Sequence, residues 1–187
     1  MKRLILILII TLSFQSWTIA DDIRDFEIEG MSIGDSALDF FSKSELNNAH
    51  EIHNYKNKKY RYYFLGYDKS KTYEYLQITV KPSDKNFIIH GIDGHIFYET
   101  NINDCYKEMR KVKKEIDNVF TISGKEDEGN HPSISNSTFK RIFYRFEEGA
   151  AELVCYDMSK KSKQIDRFAV TIKNKKLLYF LTYEAYN

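Results

Sequence analysis

The chain has 187 residues, with 28 Lys and Arg against 27 Asp and Glu, 42% apolar residues and 15% aromatic ones. A near-neutral chain has no strong long-range field for nucleic acid or an anionic membrane, and this apolar content is far from a disordered composition. The length suits one domain or two small ones packed together, and no linker or low-complexity segment divides it.

The first twenty residues, "MKRLILILIITLSFQSWTIA", join a basic pair, Lys2 and Arg3, to an apolar run from Leu4 to Phe14 and end on Thr18-Ile19-Ala20. That layout predicts a secretory signal over residues 1–20, cleaved after Ala20, and a single α+β domain over residues 21–187. An uncleaved anchor is the competing reading, because the segment reaches the lower limit of about 17 residues for a spanning helix. Gln15 and Ser16 interrupt it and Asp21-Asp22 follow at once. Loss of Lys2 and Arg3 leaves 26 basic and 27 acidic residues, a formal charge of −1. The implied location is periplasmic or extracellular, with no membrane association once the signal is removed.

After an extended lead-in, Ser36-Ala37-Leu38-Asp39 and Ser42-Lys43-Ser44-Glu45 have the form of capping boxes and predict two short helical pieces between residues 36 and 50. "YRYYFLGYDKSKTYEYLQITV" reads as a hairpin around a polar Asp-Lys-Ser-Lys link, and "NFIIHGIDGHIFYE" as a second with Asp93-Gly94 as its turn. A long helix follows from about Asn103 to Phe120. Residues 123–137, "SGKEDEGNHPSISNS", read as a loop. "TFKRIFYRFEE", "AAELVCYDM", "QIDRFAVTIKNK" and "KLLYFLTYEAY" read as four strands joined by hairpins. Helix-then-strands thus occurs twice, at residues 35–99 and 103–187, without residue-level identity between the halves. Grouped strands predict an α+β fold, mainly an antiparallel sheet with two short N-terminal helical pieces and one long central helix packed on it.

Cys105 and Cys155 are the only cysteines. Cys105, Met109, Val112, Ile116 and Val119 recur at helical spacing, while Ala151, Leu153 and Cys155 share one face of a strand. Both sulfurs face one core, and export favours a disulfide, which the chain-entropy model makes worth about 4 kcal/mol. Two buried thiols acting as small hydrophobes are the alternative. Their separation excludes a Cys-x-x-Cys redox motif.

Gly34-Asp35-Ser36 in "SIGDSALD" resembles the first motif of the SGNH (GDSL-type) serine hydrolases. That resemblance implies a nucleophile at Ser36 and a base at His131. The rest departs from the pattern: Glu128 and Asp127 precede His131 where an Asp-x-x-His is required, and "NIND", residues 101–104, lacks the Gly of the oxyanion motif. The acidic, alternating "DFEIEGMSI" is no buried elbow strand. Ser36 is expected to cap a helix, and the exported hydrolase stands as the alternative function.

Among five histidines, His50 and His53 flank the end of the second helical piece. His90 and His95 would lie diagonally on one face of a hairpin turning at Asp93-Gly94, with Asp93 or Glu99 within reach of a shared ion. Two imidazoles without a fixed third ligand make an incomplete metal site, and no cofactor is expected. Glu126-Asp127-Glu128 reads as a solvated charge run, and Lys111, Lys113 and Lys114 as the polar face of the long helix. Tyr60, Tyr62, Tyr63, Tyr67, Tyr73 and Tyr75 crowd one hairpin. A sheet core absorbs about half of such a set, and the others would form an aromatic platform for a sugar ring, a peptide or a partner surface.

"DFEIEGMSIGDSALDFFS", with its GMSIGDSALDFF core, the "CYKE" helix and the "LVCYD" strand, resembles a set of small exported bacterial proteins of unassigned function. The likeness runs over most of the mature chain, implies a shared fold and carries over no catalytic residues. The expectation is a small exported binding or interaction domain without enzymatic chemistry, whose ligand or partner is extracytoplasmic.

Overall fold

A computed structural model describes residues 22–55, 57–66, 72–99 and 101–186. Eight strands form one antiparallel sheet: β1 (Glu51–Asn54), β2 (Arg61–Gly66), β3 (Tyr75–Val80), β4 (Gly91–Tyr98), β5 (Lys125–Asn130), β6 (Thr138–Arg145), β7 (Gly149–Asp157) and β8 (Asp166–Asn174). Their order is β1-β2-β3-β4-β8-β7-β6-β5. Two four-strand meanders therefore meet at β4 and β8. The crossover between them is the long helix α2 (Ile102–Val119), which follows the short α1 (Lys43–Asn47) in the chain. The fold class read from the sequence is the one observed.

Strand pleating puts alternate residues on opposite faces. On the first face, Ile92, Ile172 and Ala151 lie in register across β4, β8 and β7, as do Ile96, Phe168 and Cys155. α2 packs here through buried Cys105, Met109 and Ile116, and the Cys105–Cys155 disulfide ties it to β7 with a Cα separation of 6.0 Å. Ile23, Ile28, Met31 and Phe41 of the N-terminal segment complete this core. Ser42 and Glu45 form a full capping box on α1, and Ser36 caps a 3-10 turn over Ala37–Asp39.

Three local expectations are corrected. Asp93-Gly94 is no turn: β4 runs straight through both, and the chain turns before it, at residues 81–90. Gly94 is there for close packing, because a Cβ would lie 2.7 Å from the Tyr73 ring. Residues 125–130 are not loop but the edge strand β5, paired with β6 and carrying Asp127–Arg141 and Glu128–Lys140 ion pairs. A charged edge resists strand addition, and its residues have no apolar signature to mark them as a strand.

The third correction is "KLLYFLTYEAY", which is not a strand but mostly the helix α3 (Lys175–Tyr183). Asn174 caps it by accepting from the Leu177 N–H at 2.9 Å, and Leu177 and Phe180 bury one stripe. α3 sits on the second face, against Tyr55, Tyr60 and Ala185. Gly91 makes room for it, since a Cβ there would lie 2.6 Å from Leu177. The Asp-Lys-Ser-Lys link of the β2–β3 hairpin lies outside the described residues. No helix among the described residues is long and apolar enough to cross a membrane.

Candidate functional site

The second face of the sheet carries chemistry that a hydrophobic face has no use for. Register places Gln77, Asp93, Thr171 and Glu152 in one row across β3, β4, β8 and β7. The next row holds Tyr75, His95, Ala169 and Val154, and the one beyond it Phe97, Arg167 and Tyr156. α3, the one helix on this face among the described residues, stands at the Gly91–Lys173 end and leaves these rows uncovered by helix.

Asp93 is buried and accepts from Lys173 Nζ at 2.7 Å and from Gln77 Nε2 at 2.8 Å. Burial pulls the Lys173 pKa down, but Asp93 and Glu152 more than reverse it, so the pKa is raised. Lys173 is therefore a fixed cation and not an amine nucleophile. His95 is different. Both of its ring nitrogens are sealed from solvent and have no hydrogen-bond partner among the described residues, and the same holds for Thr171 Oγ1. Burial pushes the His95 pKa down to about 4, with help from Arg167 and Lys173 and against Asp93. At pH 7 the ring is neutral and presents one donor and one acceptor.

Arg167 lies directly opposite Phe97 in register, with its guanidinium 4.7 Å over the Tyr156 ring. Burial lowers its pKa and only Tyr156 acts the other way, so no carboxylate among the described residues supports its charge. Tyr156 is itself raised, mainly by burial.

An aromatic strip flanks the polar rows. Phe64 and Tyr75 stack at 4.9 Å with a 7° interplanar angle, Phe97 meets Tyr75 edge-on at 5.7 Å, and Phe64 meets the His95 ring at 5.6 Å. All four side chains are only partly buried. His50 approaches both Phe64 and Tyr75, and His53 stacks on Tyr62 at 5.0 Å.

The expected tyrosine platform divides accordingly. Tyr60 and Tyr63 are buried in separate cores and Tyr73 packs on the first face at Gly94. Tyr62 and Tyr75 stand on the second face, and Tyr67 lies outside the described residues. Phe64 and Phe97, not singled out in the sequence, complete the strip. The structure does not bring His90 and His95 together. His90 precedes β4, its Nδ1 2.7 Å from Asn174 Nδ2 and its ring against Tyr60. Among the described residues no group of three His, Cys, Asp or Glu side chains is placed to hold a metal ion.

Ser36 and His131 also have separate partners. Ser36 Oγ donates to the Asn86 carbonyl at 2.7 Å and accepts from the Leu38 N–H at 3.2 Å. His131 Nδ1 accepts the Ser133 and Ile134 N–H groups at 3.1 Å each, beside Tyr156. Asp127 and Glu128 are engaged by Arg141 and Lys140. Compared with known proteins, the chain matches no family model, no curated protein and no solved structure.

Proposed function

We propose that the chain is a small exported module, periplasmic or extracellular, that binds a ligand without transforming it, and that the ligand surface is the helix-free part of the second sheet face. The observation that carries this reading is the partly exposed, mutually stacked aromatic strip of Phe64, Tyr75 and Phe97 on a part of the sheet that α3 does not cover. Aromatic faces left partly exposed on a sheet supply the contact area that ligand surfaces use. The secretory layout of residues 1–20, the disulfide and the resemblance to small exported bacterial proteins support the location.

A thermal-shift screen of small neutral and charged ring compounds tests the reading, run in parallel on wild type and on the double variant Tyr75→Ala, Phe97→Ala. The expected result is stabilising compounds whose effect disappears in the double variant. Compounds that stabilise both proteins equally would place the ligand surface elsewhere. The hydrolase alternative makes a separate demand, covalent labelling of Ser36 by a fluorophosphonate. With Ser36 Oγ already donating to Asn86, the expected mass change of the folded protein is zero.

A further inference from the structure

We propose that this face takes a small monoanion, a carboxylate carried on a flat ring, with Arg167 as its counter-ion and Phe97 and Tyr75 as its stacking surface. The inference rests on the reading of the second face as the ligand surface and adds the charge and class of the ligand.

Arg167 carries the argument. Its guanidinium is half-buried, yet among the described residues it has one hydrogen bond, a long 3.4 Å contact from Nη1 to Gln164 Oε1, and one ring contact, to Tyr156. A guanidinium has five donors in a planar fork that matches the edge of a carboxylate. Holding such a cation half out of water without an acid partner is unfavourable, and a bound carboxylate supplies the missing charge. Lys173, three rungs along the same strand, shows the contrast, since it has Asp93 at 2.7 Å.

The neighbours of Arg167 set the rest of the ligand. Phe97 is its cross-strand partner and Tyr75 meets Phe97 edge-on, so a ring attached to the carboxylate has two aromatic surfaces beside it. His95 is the diagonal neighbour of Arg167, close enough for the guanidinium charge to act on its ring, and its sealed nitrogens supply no anion to that guanidinium. Thr171, with its orphaned hydroxyl, follows on the next rung. Asp93 and Glu152 occupy that same row, and two carboxylates so near disfavour a doubly charged ligand.

The test is an NMR titration of the full oxidised chain at low ionic strength with benzoate, benzamide and inorganic phosphate. Benzoate and benzamide share the ring and differ in charge. Benzoate is expected to shift Phe97 and Tyr75 and to bind at least about tenfold more tightly than benzamide. Arg167→Met, checked for a cooperative melt, is expected to lose at least about tenfold in benzoate affinity and little in benzamide affinity. Arg167→Lys keeps the charge without the fork and is expected to fall between, and it decides the matter should the Met variant not fold. Equal affinity for benzoate and benzamide, or benzoate affinity unchanged in Arg167→Lys and Arg167→Met, overturns the anion assignment. Phosphate binding more tightly than benzoate overturns the choice of a monoanion. In each case neutral rings that still shift Phe97 and Tyr75 leave the ligand face standing, whereas an unresponsive face removes both.

Discussion

His95 is a neutral imidazole in the folded chain, and folding it that way has a pH signature. Its folded pKa of about 4 lies below the ordinary value of 6.5. Between those two values the unfolded chain binds a proton that the folded chain does not, so stability falls as pH drops through this window. The full difference corresponds to about 3 kcal/mol. Urea melts of wild type and His95→Phe at pH 7 and pH 4 isolate this contribution, because the variant lacks it. At pH 7 the same variant removes two unpartnered nitrogens and is expected to be more stable than wild type by about 1–3 kcal/mol. A loss of stability there would mean that His95 is satisfied in solution. Removing one partner of the Asp93–Lys173 pair has the opposite effect on stability from removing His95. Lys173→Met strands a buried carboxylate and is expected to cost about 3–5 kcal/mol, much of it recovered when Asp93→Leu is added. A double-mutant cycle in denaturant reads the coupling.

The elements differ in how plainly the sequence announced them. α2 was legible because five apolar positions repeat at helical spacing between Cys105 and Val119. The disulfide followed from that spacing and from the alternation in β7. α3 was misread because Tyr, Phe and Thr favour strands, although Leu177, Phe180 and Leu181 already carried the helical period. β5 was invisible because a charged edge strand has no apolar face, and Asp93-Gly94 looked like a turn because glycine at a close approach and glycine at a turn are the same letter. Gly94→Ala separates those two readings. A close contact with Tyr73 predicts a loss of about 1–3 kcal/mol, measured by thermal or chemical melting and partly relieved by Tyr73→Ala. A tolerant site would contradict the contact. Cys105→Ala with Cys155→Ala is expected to cost about 4 kcal/mol for a crosslink spanning 50 residues. For the candidate site, Tyr62 and Tyr75 were visible in the sequence. Asp93 with Lys173, and Phe97 opposite Arg167, were not, because only the β4–β8 register makes neighbours of residues 70 to 80 positions apart.

At the scale of the molecule, one eight-stranded sheet serves two purposes. Its first face is consumed by α2 and the N-terminal segment and supplies the hydrophobic core. Its second face is partly roofed by α3 and otherwise presents aromatic rings and the half-buried Arg167 guanidinium, with the orphaned polar atoms of His95 and Thr171 sealed beneath, features that cost stability and so call for a use. The most direct check of that division is a shift map of the oxidised chain, carrying labelled aromatic and arginine side chains, titrated with the strongest compound from the ring screen. Changes are expected to concentrate at Phe64, Tyr75, Phe97 and Arg167, with α2 silent. Changes centred instead on Tyr179 and Tyr183, which stand exposed on α3 beside the groove over β5 to β7, would contradict it and move the ligand surface to that groove.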